Sequence, residues 1–366
     1  MRIEDAPDPG QIEQPLLQHM RTALSMPELD YRERPARIAV GAESAIYGFQ
    51  LRGAAGIPAG ELVCRLLPPD GEFGQIRREA AAQRALRVLG IRVPAVVCLG
   101  DVEAGLGGPF LVMQRIRGCG GFSVVLGLAL MLGATVPLGL GWLGALGFLG
   151  FQAANVLTQR RIHRLAVERY CELLEKEGVA ADSQRLTAWM DWLELRIETV
   201  AAEGLRPGLA WLREGSKLRN GPEVVCHGDF WPGNLIFGWT GLRAIIDWPT
   251  ASVAEREFDL GWSLVQDASD LPFVTALPDP FTNVVGVAFW PFEWFFVGLH
   301  RWVYRVLFAT DRNALRYYAA FHTLRMLVSI SAADAGATPM PSWSTRRARR
   351  TLLRRFRRST GLELSL

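Results

Sequence analysis

Three oxygen-bearing side chains, Asp229, Asn234 and Asp247, fall close together in the segment 226–249, which reads CHGDFWPGNLIFGWTGLRAIIDWP. Asp229 and Asn234 are five positions apart around Pro232-Gly233, and Asp247 closes the apolar run Ala244-Ile245-Ile246. Residues 235–237 and 242–246 flank Gly238-Trp239-Thr240-Gly241, a pattern that predicts a β-hairpin with a glycine-rich turn. A hairpin doubles the chain back, so it would bring Asn234 and Asp247 together beside Asp229. Two carboxylates and an amide oxygen are hard ligands, suited to Mg²⁺ with water and phosphate oxygens completing its shell.

The H-G-D-x-x-x-x-N pattern of His227-Gly228-Asp229 through Asn234, and the I-D-W of Ile246-Asp247-Trp248, resemble the catalytic loop and metal strand of one family of small-molecule kinases. That family is the aminoglycoside phosphotransferase and choline kinase group, which has the protein-kinase-like fold. An H-G-D triplet by itself reads as a polar turn. The resemblance rests on both pieces standing in order, joined by a hairpin of the right length. It implies an α+β, two-lobed chain with a small antiparallel-sheet N-lobe and a mostly helical C-lobe. It also implies ATP and Mg²⁺ as cofactors. Asp229 would orient the acceptor hydroxyl and take its proton, Asn234 and Asp247 would hold the metal, and Asp259 of Asp259-Leu260 would brace the catalytic loop. His227 would hold that loop, while His19, His163, His300 and His322 are expected to be ordinary surface or helix residues.

Stepping outward, residues 36–41, 46–51 and 61–67 read as strands of the N-lobe, after an N-terminal extension over 1–35. The resemblance places the turn before the second strand, with Ser44, over the ATP phosphates. Small residues there let backbone N–H groups approach an anion, but an ordinary hairpin would look the same. The strand 61–67 carries Arg65 where the family has lysine, and a guanidinium can hold phosphate bidentately in its place. A plain strand-edge charge is the other reading of Arg65. Glu79, on an amphipathic helical stretch over 75–89, would be its partner, with a solvated helix face as the alternative. Strands over 91–100 and 110–113 then lead to Gln114-Arg115-Ile116, the hinge whose backbone would meet adenine. The N-lobe is thus expected over 36–113 and the C-lobe over 114–345, with helices over 161–176, 183–203 and 315–333.

Composition excludes several classes. Five scattered cysteines without a C-x-x-C indicate neither a disulfide framework nor a zinc site. The acidic, proline-bearing start does not read as a signal peptide. The net charge of +3 hides an imbalance, since Lys176 and Lys217 are the two lysines and the other basic residues are arginines.

The departure from the family lies at 118–159, where 42 consecutive residues carry no charge. A spanning helix needs about 20 apolar residues, and no polar stripe is visible, so a helical hairpin inserted in lipid is expected. Arginines 115, 117, 160, 161 and 164 flank the run, as expected of cytoplasmic ends. Glycines 139, 141, 144, 147 and 150 would let its helices pack closely. Helices buried in the larger lobe or in a dimer interface are the competing reading. The aromatic stretch 281–299 reads as core, acceptor-pocket wall or membrane-facing surface. The arginine-rich tail, 346–366, has eight arginines in 346–358 with Leu352, Leu353 and Phe356 among them, as in a basic segment that lies on anionic lipid.

The sequence therefore implies an ATP- and Mg²⁺-dependent phosphotransferase acting on a hydroxyl of a small, apolar or membrane-associated molecule. It would sit on the cytoplasmic face of a membrane, with no nucleic-acid partner. The alternative is a catalytically silent kinase-like scaffold at a membrane, motivated by Arg65 and the single glycine of the first turn. The intact set of Asp229, Asn234 and Asp247 argues against it.

Overall fold

The computed structural model describes residues 6–40, 44–52, 61–121, 124, 141–265, 298–336 and 346–366. The turn at 41–43, residues 122–123 and 125–140 of the uncharged run and most of the aromatic stretch 281–299 lie outside the described residues. The N-terminal elements are α1 (Pro9–Leu24), β1 (Asp30–Val40), β2 (Ala45–Arg52), β3 (Glu61–Leu66), α2 (Phe73–Val88), β4 (Val96–Gly100) and β5 (Phe110–Gln114). Then come α3 (Gly141–His163), α4 (Val167–Lys176), α5 (Leu186–Thr199), α6 (Arg206–Ser216) and β6 (Glu223–Cys226). The hairpin strands are β7 (Leu235–Gly238) and β8 (Gly241–Ile245). They are followed by β9 (Ser252–Glu255), α7 (Glu257–Val265), α8 (Leu299–Leu307), α9 (Arg312–Asp334) and α10 (Arg346–Thr360). The fold is α+β. Contacts divide the chain into unit 1, made of Met1–Cys119, Tyr170–Val179 and Asn234–Thr250, and unit 2, made of Gly120–Arg169, Ala180–Gly233 and Ala251–Leu366.

Unit 1 is built on an antiparallel sheet in the order β1-β2-β3-β5-β4. Alternate residues of a strand point to opposite faces. Leu62, Cys64 and Leu66 of β3 therefore join one core, with Tyr47, Phe49 and Val112, while Arg65 between them is left for the other face. On the other side Ile76 and Ala80 of α2 pack with Leu67 and Leu111. The 1–35 stretch is not an appendage to this lobe. Pro9 opens α1, whose face of Ile12, Leu16, Leu17 and Met20 is buried in the same cluster as β3. Such a face on an otherwise polar helix has to be covered. The first strand also begins six residues earlier than expected, at Asp30. The hairpin of β7 and β8 belongs to unit 1 and pairs Leu235 with Ile245 and Gly238 with Gly241.

Unit 2 is mostly helical. Its core joins Leu193 of α5, Leu212 of α6, Phe258 of α7, Phe321 and Leu324 of α9, and Leu352 and Phe356 of α10. Two elements differ from expectation for clear reasons. The arginine-rich tail is the helix α10, but Ala348, Leu352 and Phe356 are buried, so the apolar face proposed for lipid is already covered by unit 2. The helix expected over 161–176 is two helices, since α3 ends at His163 and α4 starts at Val167.

The second half of the uncharged run is α3, and it does have a polar stripe. Gln152, Asn155, Gln159 and His163 recur at helical spacing and are all buried. A helix with that inner side is not surrounded by lipid, and no helix among the described residues is long and apolar enough to cross a membrane. At Gly150, one of the glycines expected to pack closely, an added Cβ would meet no atom of the described residues within 4 Å.

The place of α1 in the core gives a direct test. Leu16→Ala is expected to cost about 2–5 kcal/mol of unfolding free energy, the usual range for a leucine removed from a packed interior. Denaturant unfolding reads this, and an unchanged midpoint would return residues 1–35 to the status of an extension.

Candidate active site

The residues singled out by chemistry divide between the two units, and each half has its own geometry. In unit 1 the centre is Arg65 on β3, which is 7% exposed. Its Nη1 lies 2.5 Å from Glu79 Oε2 on α2 and 3.4 Å from Asp247 Oδ1 after β8. Its Nε donates to Ser44 Oγ at 3.2 Å. Glu79 Oε1 in turn accepts from Gln83 Nε2 at 3.2 Å. The Arg65–Glu79 pairing inferred from sequence is thus present and buried, while Ser44 stands against the guanidinium. Burial pushes the Glu79 carboxyl above the usual glutamate range, and the charge of Asp247 adds to that, while Arg65 and Gln83 pull it back.

Asp247 has a left-handed backbone, with φ at 65°. This region is uncommon for any residue but glycine, though aspartate tolerates it better than most, and it persists where surrounding structure imposes it. The imposing contacts are visible on both sides. Ile246 N–H donates to Asn234 O at 2.9 Å, Ile245 N–H donates to Arg92 O at 2.8 Å, and Trp248, fully buried, donates its Nε1–H to Ile245 O at 3.0 Å. The hairpin brings Asn234 and Asp247 into one neighbourhood of the backbone, as its length requires.

The hinge differs from expectation in detail. Gln114 N–H donates to Ala95 O and Arg115 N–H to Glu61 O, both at 2.8 Å. Those two amides are engaged by the sheet, which narrows the expected adenine contact to Ile116 and the hinge carbonyls. Gln114 and Ile116 also line an open pocket of about 430 Å³ within unit 1, together with Arg87, Arg92 and Arg243.

In unit 2 the paired strands β6 and β9, with Cys226 opposite Ser252, launch the loop that carries Asp229. The loop is tied down by Asp259 on α7, which is fully buried. Its Oδ1 accepts the Gly228 N–H at 2.6 Å, and its Oδ2 accepts the His227 N–H at 3.1 Å. Gly228 has φ at 79°, a conformation that glycine adopts without strain and that lets successive amides converge on one carboxylate. His163 Nε2 donates to Asp259 Oδ2 at 2.8 Å, and its Nδ1 meets the Tyr304 hydroxyl at 2.7 Å. His227 Nδ1 accepts the Asp229 N–H at 3.2 Å, so its ring proton is assigned to Nε2 from this bonding. Arg325 of α9 donates to Gly228 O at 3.4 Å, with its guanidinium carbon 4.6 Å from the Trp262 ring centre.

His163 corrects the sequence expectation of an ordinary surface or helix histidine, while His322 is a helix residue as expected, on the inner side of α9. His163 is a buried partner of the loop brace. His322 is fully buried and meets Phe258 O at 2.7 Å. Neither role has a local signal, because Asp259 lies 96 residues from His163 and Phe258 lies 64 from His322.

With this geometry in place, comparison with known proteins is decisive. A profile of the phosphotransferase enzyme family matches residues 37–281. The chain belongs to that family. It is a phosphotransferase. No curated protein sequence matches it. Among solved structures it is similar to a thermostable mutant of aminoglycoside phosphotransferase APH(4)-Ia in ternary complex with AMP-PNP and hygromycin B. The two are 12% identical, with 95% of this chain and 99% of that one covered at a TM-score of 0.52. A putative aminoglycoside phosphotransferase from Ralstonia eutropha gives 12% identity, 95% of both chains and a TM-score of 0.53. An ethanolamine kinase from Plasmodium vivax gives 11% identity, 90% of this chain and 82% of that one, with a TM-score of 0.53. At such identities the likeness is one of fold, and the fold is the protein-kinase-like one.

The brace in this phosphotransferase has a pH signature. Burial opposes the ionisation of Asp259, but the hydrogen bond and charge of His163, the His227 ring and the Gly228 N–H outweigh it and hold the carboxyl below the usual aspartate range. A depressed acid contributes stability that is present above its unfolded pKa of about 3.9 and is lost as pH falls through the native value. Asp259→Asn sets an amide donor against groups that are themselves donors. It is expected to cost about 1–3 kcal/mol at neutral pH, with the gap from the parent protein narrowing below about pH 4. Urea unfolding at pH 3, 5 and 7 measures it, and a pH-independent gap would remove the ionised carboxylate from the account.

Proposed function

We propose that this phosphotransferase transfers the terminal phosphoryl group of ATP to a hydroxyl of a small molecule, with Mg²⁺ as cofactor. The observation that carries the reading is the Arg65 guanidinium set between the carboxylates of Glu79 and Asp247 at 2.5 and 3.4 Å. Two acids around one fixed cation leave a net negative charge, and the solvent-facing member is Asp247, whose side chain is 43% exposed. That is an environment a divalent cation fits. The donor set agrees, since Asp247 and Asn234 both offer hard oxygen. When bound, Mg²⁺ offsets charge on the nucleotide phosphates.

Each residue of the chain then has a physical task. Glu79 fixes the direction of Arg65, and a guanidinium so held meets phosphate oxygens without first losing rotamer freedom. Asp229 receives the acceptor hydroxyl and its proton, on a loop that Asp259 and His227 keep from shifting. Positioning and fixed charge account for most of the rate in phosphoryl transfer, so rigidity of these supports is itself catalytic capital. The AMP-PNP and hygromycin B bound to one structural relative, and the name of the ethanolamine kinase, support a nucleotide donor and a small alcohol acceptor. The Trp- and Phe-rich sequence 281–299 supports an acceptor of apolar character.

Two variants test the assignment separately. Asp229→Ala is expected to lower phosphoryl transfer at least a hundredfold while ATP affinity stays within about twofold, because the base touches the acceptor and not the nucleotide. Asp247→Asn should weaken Mg²⁺-dependent nucleotide binding by roughly tenfold or more, since a full ligand charge is lost. Calorimetry with and without Mg²⁺, alongside a screen of alcohols for ATP-dependent phosphorylation, reads both. Nucleotide binding indifferent to Mg²⁺ and to Asp247→Asn would favour a catalytically silent binding module.

A further inference from the structure

The helix α3 is built inside out. Toward the interior of unit 2 it turns Gln152, Asn155, Gln159 and His163, together with Phe151, Val156 and Ile162. Away from it stand Leu146, Leu149 and Leu157, which are 58%, 47% and 57% exposed. Gly150, Ala153 and Ala154 are exposed between them. At about 3.6 residues per turn these six form one continuous stripe along about 16 Å of helix axis. A surface helix of a water-soluble domain has the opposite arrangement, apolar within and polar without.

The inner polar groups explain why the helix does not simply rotate. Gln159 Oε1 accepts from His300 Nε2 at 3.0 Å, and His163 is committed to Asp259 and Tyr304. Turning the leucines inward would break those bonds. The helix α8, which supplies His300, packs on α3 through Tyr304 and Val156. It carries its own exposed apolar pair one turn apart, Trp302 and Val306, at 61% and 63%.

Charge identifies what fits this face. At the C-terminal end of the stripe Arg164 is exposed, as is Arg305 on α8. No aspartate or glutamate occurs between Glu103 and Glu168, and none occurs within α8. A second copy of the chain brought against the same patch would find no carboxylate on these helices to pair with those arginines. Lipid phosphates supply that charge, and the acyl boundary covers leucine and tryptophan.

We propose that the exposed faces of α3 and α8 dock on the anionic surface of a lipid bilayer. Leu146, Leu149, Leu157 and Trp302 enter one leaflet at the headgroup boundary, and Arg164 and Arg305 meet lipid phosphates. The contact is one-sided, because the inner side of α3 is polar and held by unit 2. It is independent of the catalytic reading, and the assay below measures binding without turnover.

The test is flotation of the full chain with vesicles of phosphatidylcholine alone, or with phosphatidylglycerol added. The parent protein is expected to float with the anionic vesicles, less so in high salt. In the double variant Leu149→Gln/Leu157→Gln the bound fraction should fall about tenfold or more. Trp302→Ser, on the other helix, should fall in the same direction and guards against a folding defect in α3. Arg164→Gln/Arg305→Gln should lose the preference for phosphatidylglycerol. Unchanged melting temperatures show that the variants are folded. Absence of the parent protein from the floating fraction would overturn the proposal, as would flotation of the leucine and tryptophan variants at the parent's level. A dimer in light scattering that these substitutions dissociate, without vesicle binding, would make the face a subunit interface instead.

Discussion

A single carboxylate without contact to solvent, Asp259, governs the geometry of unit 2. Moving an ionised carboxyl out of water costs several kcal/mol unless donors replace the lost hydration. Here the replacements are the amides of His227 and Gly228 and the ring of His163. The exchange works in both directions. The donors keep the carboxylate charged, and the carboxylate fixes the two residues that precede Asp229. Because His163 ends α3 and also meets Tyr304 of α8, the same carboxylate ties the loop that carries Asp229 to the helices with the exposed apolar faces. A shift of α3 along its axis would be felt at Gly228 through two hydrogen bonds.

Unit 1 follows a comparable logic around a cation. Arg65 has the two acids and the Ser44 hydroxyl about it, and burial makes its contact with Glu79 stronger than it would be in water. The left-handed backbone at Asp247 shows that the site is held against local preference. The restraint comes from the hairpin below it and from the buried Trp248, which anchors the chain just past the turn. Replacement of the family's lysine by arginine is compatible with this design, since a planar fork between two carboxylates is better fixed than a flexible ammonium.

What the sequence revealed, and what it hid, follows from the range of the interactions. The hairpin, with Asn234 and Asp247 at its ends, is set by local turn chemistry between two short apolar runs, and it was readable. So was the Arg65–Glu79 pair, because the family pattern fixes a strand and the next helix. The Asp259 brace was readable by resemblance, but its partner His163 was not, since nothing near His163 points to a residue 96 positions on. The polar stripe of α3 escaped notice because three amides spread over two turns look sparse in a run of leucine and glycine. Their meaning appears only when the fold shows which side is inside. The arginines of α10 misled in the opposite sense. A basic amphipathic pattern is the same whether its apolar side rests on lipid or, as here, on the helices of its own unit.

The division of unit 1 among three stretches of chain has a consequence for its history and its synthesis. The strand that presents Asp247 is synthesised only after the first two stretches of unit 2. Unit 1 cannot complete its charged centre until residue 247 has emerged, however early its sheet forms. A gene exchange that brought in a new N-terminal sheet would carry Arg65 and Glu79 but leave Asp247 and its hairpin behind. The charged centre of unit 1 is therefore complete only where the early sheet and the later hairpin belong to one and the same chain.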